Sequence, residues 1–327
     1  MDFQLSEDQK ALRAGVRSFC EGRIPVEQLA ELEAKGGVDG DLWSELAELG
    51  VFALRIPEER SGVGLGMADA VIVFAELGRR LVPGPLIWTE LAAEWIPEAA
   101  AGRCVVGGLD LLGGPGGPHL VEHRESLDAW LVLRREGVFR VDPTELEADP
   151  VGLPLDPLTP VHRLRRLPEG ERIAGEAEAL RLRLAGASLA GALQLGIAEA
   201  TLELAVEYAK RREQFGRPIG SFQAIKHILA DMFVRQEVAR AAVYAAGATL
   251  DDPLVGDVER AVASAKLTAG EAAMRNARSC IQVHGGMGYT WEVPAHHYLK
   301  RCWVLETSFG STDEHADRLA EIAARAA

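Results

Sequence analysis

Arg212 closes a helix dense in Ala and Glu, just before Gly216, Pro218 and Gly220, and a second helix begins near Phe222. A basic, glycine-rich corner therefore joins the two helices. A guanidinium held beside exposed backbone amides at a helix end suits a phosphate or pyrophosphate. The plainer reading is an arginine that complements a helix dipole. A second stretch, QVHGGMGYT from Gln282 to Thr290, puts a side-chain amide and the amides of Gly285 and Gly286 at another helix C-terminus. Alone it reads as a glycine cap. His284, His296 and His297 have no carboxylate or cysteine at ligand spacing, so no metal site is expected. No Ser/His/Asp or Cys/His arrangement has recognisable local context.

The elements that must position these residues are mostly helical. Ser6 with Gln9 forms a capping-box pattern ahead of Leu12, Val16 and Phe19, which recur at helical spacing. A second helix is expected from Asp41 to a stop at Gly50, and a third from about Met67 to Leu81. Between them Gly62, Gly64 and Gly66 read as a helix-to-helix turn, because no strand precedes them as a dinucleotide fingerprint requires. From about Cys104 the chain turns rich in Val and Leu: Cys104–Val106 and Ala129–Leu133 read as strands, and 131–141 as a hairpin turning near Glu136 and Gly137. Six prolines between Pro143 and Pro168 rule out a helix there. GGPGGP at 113–118 reads as a loop.

Helices return near Ala174. Glu199, Glu203, Glu207 and Arg211, four residues apart, read as a solvated face with modest ion-pair support. Ile225, Ile228, Leu229, Met232 and Phe233 predict an amphipathic helix with one packed face. Further helices are expected from Val258 to Val283 and after Asp313. Long helices with short joins make a bundle. The expected fold is mostly α with a small β subdomain: an N-terminal helical domain (1–102), a reduced middle β domain (103–173) and a C-terminal four-helix bundle (174–327).

The chain has 327 residues, enough for a large core. Its 49 acidic against 35 basic residues give a formal charge of -14, which argues against sequence-independent nucleic-acid binding. No basic, apolar leader opens the sequence, and no apolar run reaches the ~18 to 20 residues of a membrane span; Leu184–Ala198 is the longest, interrupted by Ser188 and Gln194. Cys20, Cys104, Cys280 and Cys302 are scattered without a CxxC pair and read as reduced, buried thiols of a cytoplasmic protein.

Taken together, MDFQLSEDQKALRAGVRSF, PEERSGVGLGMADAVIVFAELGR, REQFGRPIGSFQAIKHILADM and QVHGGMGYTWEVPAHHYLKR resemble segments of the acyl-CoA dehydrogenase family, and the resemblance covers most of the chain. It implies dimers or dimers of dimers with FAD at the subunit interface. In that family the Arg and Phe of RxxFG, a Gln eleven residues after the Arg, and the Gln and glycines of QxxGG reach the FAD of a neighbouring subunit. Those positions here are Arg212, Phe215, Gln223, Gln282, Gly285 and Gly286.

Elsewhere the chain departs from the family pattern. No TEPxxGS-like flavin motif occurs between Gly102 and Gly170. The loop that normally carries the base reads Phe309, Gly310, Ser311, Thr312, so the base position is Gly310, with Ser311 and Thr312 left as a flavin-side loop. The alternative base position, on the first bundle helix, is Gly186. Glycine cannot accept a proton, and an α-proton beside a thioester needs a positioned base. The resemblance therefore implies an FAD-completing, non-catalytic subunit, like the shortened chain of heteromeric actinobacterial acyl-CoA dehydrogenases, some of which act on steroid side-chain thioesters. A full-length paralogue would supply the acyl-CoA pocket and the base. The alternatives are a self-sufficient homo-oligomer with a displaced base (Glu306, Asp313 or Glu314), a flavin-free structural homologue, and another flavin reaction such as oxidation with oxygen.

Overall fold

The computed structural model describes residues 4–26, 29–36, 38–113 and 117–326; the first three residues and part of the loop at 113–118 lie outside them. Helix α1 (Glu7–Arg23) starts at the expected capping box, with the Ser6 hydroxyl accepting from Gln9 N and the Gln9 amide accepting from Ser6 N, each at 3.1 Å. The helices α2 (Leu29–Lys35), α3 (Gly40–Glu48) and α4 (Met67–Arg79) follow, then the short α5 (Leu86–Ala92) and α6 (Pro97–Ala100). The glycine run before α4 is the expected turn: Gly64 has φ +71, and a side chain at Gly62 would run into the Ile56 backbone. Asp251 caps α4 from far along the chain, accepting from Met67 N and Ala68 N at 2.7 and 2.8 Å.

The β part is more regular than the sequence suggests. Strands β1 (Val106–Asp110), β3 (Ala129–Arg134), β4 (Gly137–Val141) and β7 (Glu171–Ala174) form one sheet in the order β1-β3-β4-β7. Strands β2 (Leu120–Glu122), β6 (Val161–Leu164) and β5 (Ala148–Pro150) form a second, in the order β2-β6-β5. The expected hairpin is β3–β4, closing at Arg134 opposite Gly137. The β1–β3 pair is parallel, which short-range sequence patterns do not reveal.

Helix α7 (Glu176–Arg211) then runs through the centre of the molecule, followed by the small hairpin β8 (Glu213–Gln214) and β9 (Arg217–Pro218), α8 (Gln223–Asp251), α9 (Val258–His284), α10 (Ala295–Glu306) and α11 (Thr312–Ala326). By length and composition α7 could cross a membrane, but 83% of its most apolar window is buried inside the protein. Ser188 and Gln194, the polar residues that interrupt the apolar run, are both buried in this helix. Its crossing with α4 is close because glycines meet there. A Cβ on Gly196 would lie inside van der Waals contact of Ala75 O and 2.7 Å from Arg79 N; one on Gly78 would sit 2.7 Å from Leu193 Cα.

Two readings of surface hold only in part. Glu199 is only 8% exposed, bound by Arg240 at 2.8 Å and Arg79 at 3.4 Å, while Glu203 takes Arg79 at 2.6 Å. Glu203, with its side chain 59% exposed, and Glu207, paired with Lys210 and Arg211, are solvated as expected. Glu199 is buried because α4 and α8 cover this part of α7 and bring Arg79 and Arg240, a tertiary fact. On α8 the expected face packs, with Met232 buried and Ile225, Ile228 and Leu229 partly buried against the same cluster, but Phe233 is 53% exposed alongside Val234 and Val238. Its apolar face is therefore wider than this chain covers.

Candidate functional site

The residues singled out from the sequence fall into two groups. The first lies where α7 ends, α8 begins and α9 ends. A cluster of Leu202, Ala205, Ala209, Met232, Cys280 and Ile281, with Ile219 and Ile225 against it, packs these termini into one end of the bundle. Tyr208 stacks on His284 with ring centroids 4.2 Å apart. On this base Arg212, Phe215, Gln223, Gln282, Gly285 and Gly286 are all exposed.

Their geometry favours an anionic guest. Among the described residues neither Arg212 nor Arg217 has an ion-pair partner; Arg217 lies over the Phe222 ring at 4.2 Å, whereas the neighbouring Arg211 is held by Glu207. The N-cap of α8, Phe222, offers no side-chain acceptor, so the first-turn amides beside Gln223 stay uncapped. Such amides and a free guanidinium attract phosphate oxygens. The Gly285 N–H bonds back to Gln282 O. A Cβ built on either Gly285 or Gly286 would meet no protein atom within 4 Å, so a ligand can reach the backbone there. Phe215, 91% exposed, stands at a positive φ of 55°. A bulky residue rarely adopts that backbone, and the cost is spent here on presenting a ring to solvent.

The second group surrounds Gly186 and Gly310, the two positions at which the base is expected. Gly186 is buried inside α7 and Gly310 has φ +99 in the loop before α11. Of the three carboxylates weighed as substitutes, Glu306 and Glu314 are engaged. Glu306 accepts from Thr312 N at 2.8 Å and Thr312 Oγ1 at 2.9 Å. Glu314 is bound by Arg183, which also takes Asp110 at 2.8 Å, and Asp313 is an exposed first-turn residue of α11. The Ser311 hydroxyl accepts from Glu314 N. Ser311 and Thr312 therefore serve the start of α11.

Sequence reasoning missed Glu122, His123, Arg301 and Asp156 beside this cleft. Glu122 lines it with Trp88, Ser308 and Phe309; burial pushes its carboxyl up, against the opposing pull of Arg301. His123 is buried, and its imidazole is driven down to about 3 by burial and the Arg301 charge, so it stays neutral. Arg301 of α10 binds Asp156 at 2.5 Å and Val82 O at 3.2 Å, tying the β part to the helices. These residues carry no motif, and only the tertiary fold brings the β part and α10 together around them.

All four cysteines are buried and free, and among the described residues no three His, Cys, Asp or Glu side chains cluster for a metal.

A helical frame around a small β part, with a basic, glycine-lined surface at one bundle end, is the architecture of a flavin-dependent dehydrogenase. The chain belongs to the acyl-CoA dehydrogenase family, FAD-dependent oxidoreductases: residues 6–102 match the family's N-terminal domain and 180–324 its C-terminal domain. It is 37% identical to acyl-CoA dehydrogenase IpdE2 of Mycobacterium tuberculosis, covering 90% of this chain and 91% of the relative. Against IpdE2 of Mycolicibacterium smegmatis the identity is 33%, with 96% and 98% covered. The fold also superposes on a chain of the ChsE4-ChsE5 complex from Mycobacterium tuberculosis, with a TM-score of 0.86, 26% identity and 99% of each chain covered.

Proposed function

We propose that this chain completes the FAD site of a heteromeric acyl-CoA dehydrogenase without supplying the base. The carrying observation is the contrast between the two groups of residues. Arg212, Phe215, Gln223, Gln282, Gly285 and Gly286 are exposed at one bundle end with Arg212 unpaired, while both base positions are glycine and the nearby carboxylates are engaged or face solvent. In this reading Arg212 and the uncapped amides of α8 meet the pyrophosphate. Gln223 and Gln282 offer amide hydrogen bonds to it and the adenosine, and Gly285 and Gly286 allow close approach. When bound, FAD supplies a hydride acceptor at N5 for the β-carbon of an acyl-CoA thioester, whose α-proton goes to a base on the partner, leaving a 2,3-enoyl-CoA. The open apolar face of α8, with Val234 and Val238 about 50–60% exposed, continues from Gln223 and fits a full-length paralogue as partner. Similarity to a chain from a complex of two unlike subunits supports the same arrangement.

The test is to purify the chain alone and with a full-length paralogue from the same genome, reading flavin absorbance and acyl-CoA-dependent dye reduction. Flavin and turnover are expected only in the complex, and Arg212→Ala is expected to lower its flavin content. Turnover by the lone chain, or a complex whose turnover collapses on Glu122→Gln, would overturn the reading by placing a catalytic carboxylate in this chain.

A further inference from the structure

The cleft next to Gly186 is occupied by the protein itself. Phe309 is 3% exposed, and a Cβ on Gly186 would fall 2.5 Å from its Cδ1 and 2.6 Å from its Cζ. The other side of the ring meets Trp88, with centroids 4.6 Å apart and planes tilted by 36°. Trp88 in turn lies on Gly108 of β1, where a Cβ would be 2.7 Å from Cε2. Two glycines on facing elements thus bracket two aromatic rings, from the central bundle helix across to the sheet. On the side of His123 and Arg301 the space left beside the rings is about 50 Å³, room for a few waters; on the side of β1 and β2 a cleft of about 380 Å³ stays open between Gly108, His119 and Thr307.

The segment that carries Phe309 is tied down from every side. Lys266, fully buried on α9, donates to Leu305 O at 3.0 Å and Glu306 O at 3.2 Å. Glu306 holds Thr312, and a His315 ring nitrogen lies 3.0 Å from Phe309 O. Arg183 links α7 to Asp110 of β1 and Glu314 of α11. Phe309 itself sits at φ +55, an uncommon backbone for a large side chain that such a frame must enforce.

From this geometry we infer that Phe309 and Trp88 form a fixed plug that fills the part of this chain's cleft beside Gly186, where a reacting acyl thioester would have to meet a base, and that Gly186 is glycine because the plug needs the space. The inference rests on the family reading for what the cleft would otherwise hold, and it deepens the proposed function by allotting the working cleft to the partner. On this view a carboxylate at 186 cannot simply be restored, since Gly186→Glu has to expel the ring.

A double-mutant cycle tests the plug without reference to a partner's activity. Gly186→Ala is expected to lower the melting temperature by several degrees in the native background, and to be neutral or raise it in the Phe309→Ala background, where only the helix preference for Ala remains. Benzene is expected to raise the melting temperature of Phe309→Ala and not that of the native chain, because the deletion opens an apolar cavity. Equal effects of Gly186→Ala in both backgrounds, or benzene binding to the native chain, would overturn the plug. If Phe309→Ala does not fold, Phe309→Leu carries the same cycle. Heteromer assembly is read separately by co-purification, so failure of either idea leaves the other visible.

Discussion

Two glycines five residues apart on α7 give opposite expectations for the same substitution. Gly196 faces α4 backbone: a Cβ there would lie 2.7 Å from Arg79 N, 2.9 Å from Ala75 C and closer still to Ala75 O. Carbon atoms settle at ~3.5 to 4.0 Å, so clearing Ala75 C alone would part the helices by roughly 0.6 to 1 Å, and clearing Ala75 O requires more. No flexible side chain can yield in their place. Overpacking of this kind costs ~1 to 3 kcal/mol and occasionally more, against a gain of ~1 kcal/mol from replacing a helical glycine by alanine. Backbone on both sides puts the cost at the upper end, for a net loss of ~2 kcal/mol. Gly191 instead has its nearest neighbour, Ala265 O, 3.6 Å from the added carbon, ordinary contact that leaves the ~1 kcal/mol gain. Denaturant unfolding of Gly196→Ala and Gly191→Ala should thus bracket the native chain with midpoints about 3 kcal/mol apart in stability. If both variants are stabilised, the α4–α7 crossing is looser than described and the packing argument fails.

Two pH-linked expectations follow from buried charges. Burial alone would raise the Asp156 carboxyl, but Arg301 and hydrogen bonds from Arg301, Thr159 and Leu158 N hold it below its ordinary value. Its contribution is therefore present at neutral pH and lost as pH falls through that depressed value; Asp156→Asn should cost ~3 kcal/mol at pH 7, with the gap to the native chain closing in acid, measured by urea unfolding. Lys266 shows the opposite sense. Burial lowers its ammonium to about 8, from 10.5, with Glu306 and Glu314 resisting. The unfolded chain holds that proton more tightly, so between pH 8 and 10.5 native stability should rise relative to Lys266→Met; a gap that stays constant over this window would mean the amine is not buried as described.

Much of the candidate site's local geometry was legible because short-range chemistry writes it. RxxFG, the following Gln223 and QxxGG are contiguous motifs at helix ends, and helix ends are set by caps, glycines and prolines that act over a few residues. The capping box at Ser6, the turn at Gly64 and the hairpin closing at Gly137 follow from the same local rules. The two glycines at the base positions were equally visible, since the absence of a proton acceptor is a property of residue type.

Only the tertiary structure decided what those glycines do and what lies around them. That Gly186 receives the Phe309 ring, and Gly108 the Trp88 indole, depends on elements more than a hundred and about twenty residues apart meeting across one cleft. Glu199 is a buried ion-pair partner instead of a solvated one because Arg79 and Arg240 arrive from other helices. Glu122, His123, Asp156 and Arg301 form a cluster with no motif at all. Periodicity and capping report how a segment is wound; which charges and rings face each other is settled when wound segments pack, where a long-range pair can compensate burial that no local pattern announces.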